Sequence, residues 1–155
     1  LRCDPMAMLP FCGYHMADYW QHWLNMGQRG GAGMPHVFHV NWFRKDWGGN
    51  FLWPGYRQNM RVLKWVVDRV RGRGDAVASP LGMMPTPQSL ELSGLEWSKE
   101  QIKELLAVRP EEWYKEIDQR EEFLARFSSK LPQELLDENE ALRKRIKHAQ
   151  LQFRE

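Results

Sequence analysis

From Asn41 to Arg61 the sequence reads Asn-Trp-Phe-Arg-Lys-Asp-Trp-Gly-Gly-Asn-Phe-Leu-Trp-Pro-Gly-Tyr-Arg-Gln-Asn-Met-Arg, the stretch richest in side chains able to bind something. Six aromatic rings fall in it (Trp42, Phe43, Trp47, Phe51, Trp53 and Tyr56), beside amide and guanidinium groups and two glycine-built turns. Aromatic faces stack on nucleobases at about 1–3 kcal/mol per base, but stacking alone does not tell one base from another. Selection needs contacts to the base edge. An asparagine side chain both donates and accepts hydrogen bonds, and backbone groups exposed at a Pro-Gly turn can do the same. Two readings stand on the residues alone: a base-binding loop, or an aromatic hairpin whose rings pack a core. The chain holds eight tryptophans, five of them before Pro54, and rings of that size weigh towards the core reading.

Other candidates are weaker. The run Gly27-Gln28-Arg29-Gly30-Gly31-Ala32-Gly33 is glycine-rich like a phosphate loop, but it follows a predicted helix and leads into a predicted strand. Phosphate loops have the opposite order, so that helix-terminal N–H groups meet the anion, and the run reads as a flexible connection. His15, Asp18 and His22 share a helix face that could collect a transition metal, yet Tyr19, Trp20 and Trp23 interleave closely and an ordinary polar face is the better reading. His36 and His39 have an odd offset and fall on opposite faces of a strand. Cys3 and Cys12 lack a partnering base and any C-x-x-C spacing, so they read as reduced structural residues. No serine sits in a nucleophile elbow, and no carboxylate pair can be given acid–base roles. Neither a catalytic centre nor a metal site can be assigned.

The elements that must position the 41–61 segment follow from periodicity. Met16, Tyr19, Trp20, Trp23 and Leu24 recur at helical spacing, with Asn25-Met26-Gly27 as the stop. Val37 to Phe43 is β-branched and aromatic and reads as a strand. Gly48-Gly49 suits a two-residue hairpin turn, with Phe51-Leu52-Trp53 returning and Pro54-Gly55 closing. Asn59 to Arg71 is the next helix, with Met60, Leu63, Val66, Val67 and Val70 on one face, and Gly72 stops it. Arg73 to Gly94 is rich in loop residues. Ser98 and Gln101 form a capping box for a helix running towards Val108, Pro110 opens another, and a third begins near Pro132. This is a mixed α/β pattern: a short mixed sheet or hairpin with flanking helices, then a helical C-terminal tail.

A length of 155 residues, with 43% hydrophobic and 27% charged residues, fits a folded globular chain. No apolar run approaches the roughly 20 residues needed to span a bilayer. Net charge is +2, which does not suggest bulk binding to nucleic acid or an anionic membrane. The charges divide the chain: residues 1–97 hold 10 Lys+Arg and 7 Asp+Glu, residues 98–155 hold 12 and 13. On that basis 1–97 is expected to be the binding part and 98–155 a helical subdomain packed on it. The sequence starts at Leu1 without Met or signal pattern and reads as cut from a longer, cytoplasmic chain.

Phe38-His39-Val40-Asn41-Trp42-Phe43-Arg44-Lys45, followed by Phe51-Leu52-Trp53-Pro54-Gly55, closely resembles the C-terminal region of GTP-dependent phosphoenolpyruvate carboxykinases. The resemblance extends upstream through Asp4-Pro5-Met6-Ala7-Met8, Gly13-Tyr14, Tyr19 and His22-Trp23-Leu24. Downstream it continues more loosely through Asn59, Arg61-Val62-Leu63 and the Trp113 helix. It implies part of a nucleotide-binding domain of a carboxy-lyase that interconverts oxaloacetate plus GTP and phosphoenolpyruvate, GDP and CO2, in gluconeogenesis. The resemblance further implies Mn2+ in the enzyme and Mg2+ on the nucleotide, with the metal ligands, phosphate loop and oxaloacetate-binding residues upstream of Leu1. The chain alone is therefore expected to be inactive, and its partners to be a guanine nucleotide and the rest of a monomeric parent enzyme. By the resemblance, Phe43 and Tyr56 sandwich the base, Phe51 walls the pocket, and Asn59 with the backbone of Tyr56-Arg57-Gln58 reads the guanine edge. The alternative is a non-enzymatic purine-nucleotide-binding or helical interaction module.

The family usually has Phe-Gly-Glu-Asn where this chain has Tyr56-Arg57-Gln58-Asn59. Tyr56 keeps the ring, Gln58 loses a carboxylate, and Arg57 stands where a glycine could have adopted positive φ. A strict two-residue turn at Gly48-Gly49 would pair Asp46 with Phe51 and put Phe43 on the opposite face from Phe51. Both can line one pocket only if a bulge or looser loop shifts the register, and that shift is the expectation.

Overall fold

A computed structural model describes residues 7–152; Cys3 and the Asp4-Pro5-Met6 part of the resemblance lie outside the described residues. Among the described residues, five α-helices and a two-stranded sheet follow in the order α1 (Met16–Gly30), α2 (Asn59–Val70), β1 (Val77–Ser79), β2 (Gly82–Met84), α3 (Lys99–Leu106), α4 (Pro110–Ala125) and α5 (Gln133–Gln152). The mixed α/β expectation holds, with an antiparallel two-stranded sheet. The chain divides into two compact units: the described residues up to Pro35 with those from Arg109 onwards, and His36–Val108. That grouping differs from a division at 97/98, because α1 packs with the charged helices.

In the first unit, α1 starts at Met16 because His15 caps it, its Nδ1 accepting from the Ala17 N–H at 3.2 Å. This gives His15 a local structural role. Met16 packs into a cluster with Phe123, Leu124 and Phe127, against Trp20 and Leu135. The helix runs on to Gly30 and is followed by a 3-10 turn over Gly31–Gly33, so residues 28–33 are helical rather than the expected flexible connection. The helix passes the predicted stop at 25–27 and ends instead at Gly31, whose φ of 48° glycine tolerates.

Ile117 of α4 and Ile146 of α5 are fully buried, and Asn139 between them donates its amide to the Ile117 carbonyl at 3.3 Å. A buried amide costs stability unless paired, so this bond fixes α5 against α4. Arg143 reaches Asp118 and Glu121, each at 2.9 Å, on the exposed side.

In the second unit, the capping box forms as predicted: the Gln101 N–H donates to Ser98 Oγ, and the Ser98 N–H donates to Gln101 Oε1. Two corrections concern strands. Val37 to Phe43 forms no strand, and Phe51-Leu52-Trp53 returns through a single antiparallel bridge, Lys45 with Phe51. High β-propensity yields a strand only where a neighbour supplies the hydrogen-bond ladder, and among the described residues none lies beside 37–43. Conversely, the stretch 73–94 contains β1 and β2, paired Val77 with Met84 and Ser79 with Gly82. Pro80 obscures that hairpin in the sequence, while Gly82 at φ 125° makes its turn possible.

The buried side of α2 is also not the one its periodicity suggested. Trp65 is the buried residue, its indole donating to the Asp75 carbonyl at 2.9 Å, whereas Met60, Leu63, Val67 and Val70 are exposed.

Candidate functional site

Tryptophans form the frame of the site. Trp53 is 6% exposed and lies in tilted and edge contacts with Trp42 and Trp97, at ring-centroid distances of 5.8 and 5.7 Å. Phe38 meets Trp65 edge-on at 5.9 Å. Phe38, Trp42, Trp53 and Trp65 border an apolar cavity of about 180 Å³ that none of Phe43, Phe51 and Tyr56 lines. The core reading therefore describes the tryptophans of this unit, apart from exposed Trp47.

It does not describe Phe43, Phe51 and Tyr56. Phe43 is 75% exposed, Phe51 58% and Tyr56 91%, although burying each would remove a large apolar surface from water. Backbone geometry keeps Phe43 and Phe51 together. The Asp46 N–H donates to the Asn50 carbonyl and the Gly49 N–H to the Asp46 carbonyl, leaving three residues, Trp47, Gly48 and Gly49, in the loop. Gly49 at φ 83° completes this looser turn in place of the strict two-residue one. The register shifts by one as expected, Lys45 faces Phe51, and the Phe43 and Phe51 rings meet at 6.2 Å in a tilted-edge arrangement. Lys45 Nζ sits 5.0 Å from the Phe51 ring centre, a cation–π distance.

Polar side chains hold this hairpin in place. The Asn41 side chain accepts from the Phe43 N–H at 3.0 Å and so turns the chain just before that ring. Arg44 donates to the Leu105 carbonyl at 3.1 Å, at the C-terminal end of α3 where a cation is favourable. At the tip, hydrogen bonds from the backbone N–H and then the side-chain amide of Asn50 hold the Asp46 carboxyl below its ordinary pKa.

The second arm begins at Gly55, whose φ of 113° and ψ of 179° belong to glycine. Tyr56–Gln58 is then a 3-10 turn leading into α2. Arg57 lies within this turn without positive φ, so replacing a glycine there carries no backbone strain. Gln58 Oε1 accepts from Arg61 Nε at 2.7 Å, which uses the side chain for the turn itself. Arg61 also donates to the Glu91 carbonyl. Asn59 opens α2, and its Oδ1 accepts from the Trp53 indole N–H at 2.8 Å.

Of the residues singled out by sequence, Phe43 and Phe51 stand in contact, and Tyr56, Arg57, Gln58 and Asn59 share one turn. Tyr56 makes no ring contact among the described residues. Sequence reasoning did not give Lys45 or Trp53 a role beside them. The one-residue register shift was the available signal for Lys45, and the need of a buried indole N–H for an acceptor was the signal for Trp53.

The arrangement offers exposed rings, the cations Lys45 and Arg57 and the Asn59 amide, which is chemistry for holding a flat heterocycle. Among the described residues no three His, Cys, Asp or Glu side chains gather closely enough to hold a metal. The divalent cations implied by the resemblance thus find no ligand set there, and no metal-dependent step is assigned to these residues. Among the described residues no helix is long and apolar enough to cross a membrane.

Comparison with known proteins gives the family. The family described as phosphoenolpyruvate carboxykinase C-terminal P-loop domain matches residues 1–145. Phosphoenolpyruvate carboxykinase [GTP] of Treponema pallidum (strain Nichols) is 51% identical over 148 residues, covering 94% of this chain and 24% of that protein. The proteins of the same name from Corynebacterium jeikeium and Neocallimastix frontalis are 46% and 45% identical, over 96% of this chain and 25% of each relative. The chain spans about a quarter of the length of these relatives.

Proposed function

The chain belongs to the GTP-dependent phosphoenolpyruvate carboxykinase family, and from that premise we propose that it supplies the guanine-recognising wall of such an enzyme. The polypeptide to which it contributes interconverts oxaloacetate plus GTP and phosphoenolpyruvate, GDP and CO2. Phe43 and Tyr56 grip the two faces of the base, Phe51 closes one side, and Asn59 with the backbone of Tyr56, Arg57 and Gln58 meets its edge. The observation that carries this reading is the exposure of Phe43, Phe51 and Tyr56 on either side of a turn anchored by a buried tryptophan frame. Rings left in water on a well-anchored scaffold are ready to stack without reorganising.

Several features of the chain fit this partial role. Its sequence has no G-x-x-x-x-G-K-[ST] phosphate loop, so phosphoryl transfer and decarboxylation depend on residues elsewhere in the polypeptide, and the chain alone is inactive. Divalent cations neutralise phosphate charge and polarise oxygens when bound in such enzymes, and those ligands too lie elsewhere. The exposed stripe Met60, Leu63, Val67 and Val70 on α2 is apolar surface for the remainder of the polypeptide to cover.

Titration calorimetry with GDP, GTP and ATP tests the reading. Binding of the guanine nucleotides, weakened in Phe43→Ala and Tyr56→Ala, is expected. A chain that binds no nucleotide overturns it.

A further inference from the structure

We infer that Trp53 determines which purine is accepted, by holding the Asn59 amide in one of its two orientations. This inference rests on the guanine-wall reading above and adds a selecting device that neither stacking nor family membership supplies.

An asparagine amide has a carbonyl end that accepts and an NH2 end that only donates, and the two ends exchange on a half-turn. The indole N–H of Trp53 is a donor without acceptor capacity. Because Trp53 is 6% exposed and held by Trp42 and Trp97, that donor needs a protein partner in a fixed place. Asn59 Oδ1 is that partner at 2.8 Å. A half-turn of the amide would set NH2 against N–H, two donors with no acceptor between them, at a buried position where an unmet polar group is costly. Asn59 is itself fixed as the first residue of α2, with φ −59°. Its carbonyl end is therefore committed to the indole and its NH2 end points away. Among the described residues no protein acceptor takes those N–H groups.

A base meeting this end of the amide must offer an acceptor. The carbonyl at the six-position of guanine does so, and so does that of hypoxanthine. Adenine presents an amino group there, and donor would face donor. Exposed rings bind either purine with comparable strength. Trp53, which touches no base, is thus a positioning residue whose effect appears in discrimination rather than in overall stacking affinity.

The test compares GDP, IDP and ADP binding to the full chain by calorimetry, in the wild type, Trp53→Phe and Asn59→Asp. IDP keeps the six-carbonyl and lacks the two-amino group, so it isolates this contact. The wild type is expected to bind GDP and IDP more tightly than ADP. In Trp53→Phe that preference narrows by about five- to tenfold, through weaker binding of GDP and IDP alike. Asn59→Asp retains an acceptor for the indole but has no N–H to offer, and it loses the preference by a similar factor; if Trp53→Phe does not fold, this variant decides. A preference unchanged in either folded variant overturns the inference, as does a loss confined to GDP with IDP unaffected. Wild-type binding without preference overturns this inference alone, whereas binding of none of the three overturns the guanine-wall reading with it.

Discussion

Around Phe127 the rings close on one another. Trp20 meets it at 4.7 Å, Phe123 at 5.3 Å and His15 at 5.9 Å, in a cluster that excludes water. Around Phe51 the rings stand in solvent: Phe43 touches it at 6.2 Å, Lys45 lies over it, and Tyr56 extends free on the neighbouring turn. The two groups have similar composition, so hydrophobicity does not account for the difference. Backbone does. Helices α1 and α4 bring rings together at helical spacing over several turns, whereas the short arms of a hairpin and a 3-10 turn leave Phe43, Phe51 and Tyr56 exposed. Aromatic density thus makes core in one region and a candidate binding surface in the other.

This contrast can be broken most forcefully on its packed side. Phe127→Ala should lower unfolding free energy by about 3–5 kcal/mol, read by chemical denaturation, because it opens a cavity among rings that cannot collapse into it. Phe43→Ala should behave in the opposite way: stability changes by about 0.5 kcal/mol or less, while guanine nucleotide binding weakens by about 1–3 kcal/mol. If Phe43→Ala destabilised the fold as much as Phe127→Ala does, the two regions would not differ as described. Gly55→Ala should cost about 1–3 kcal/mol, because only glycine adopts its φ and ψ without strain, and the loss would appear as a lowered Tm together with weaker binding.

The smallest effect concerns acidity at the hairpin tip. The folded pKa of Asp46 is depressed, so its hydrogen bonds with Asn50 contribute fully above the ordinary carboxylate value of about 4 and fade as pH falls through the lower folded value. Amide exchange at the Asn50 N–H, corrected for its intrinsic pH dependence, should therefore show weakened protection only below about pH 4. In Asp46→Asn that step should vanish.

Local signals were legible. The Ser98–Gln101 box, Pro110 at the start of α4 and the aromatic periodicity of α1 each depend on neighbours within a few residues, and each element starts where they indicate. The register shift at 46–50 was also legible, because two rings assigned to one pocket could not share a face across a strict two-residue turn. What depends on distant partners was not. Val37 to Phe43 has strand-forming side chains but no ladder beside it, and α2 packs on Trp65 because Phe38 and the Asp75 carbonyl meet it there. The Trp53–Asn59 bond joins residues six apart across a Pro-Gly reversal, a geometry that no helical or strand period encodes.

Gly55 separates shape from chemistry. Since this one position makes the sharp reversal, the next three residues adopt ordinary backbone angles without positive φ. The charge and bulk at 57 can then differ, as the Arg of this chain illustrates, without moving the ring at 56 or the amide at 59. The turn behaves as a hinge plate whose path is set by one pin and whose middle fitting can differ.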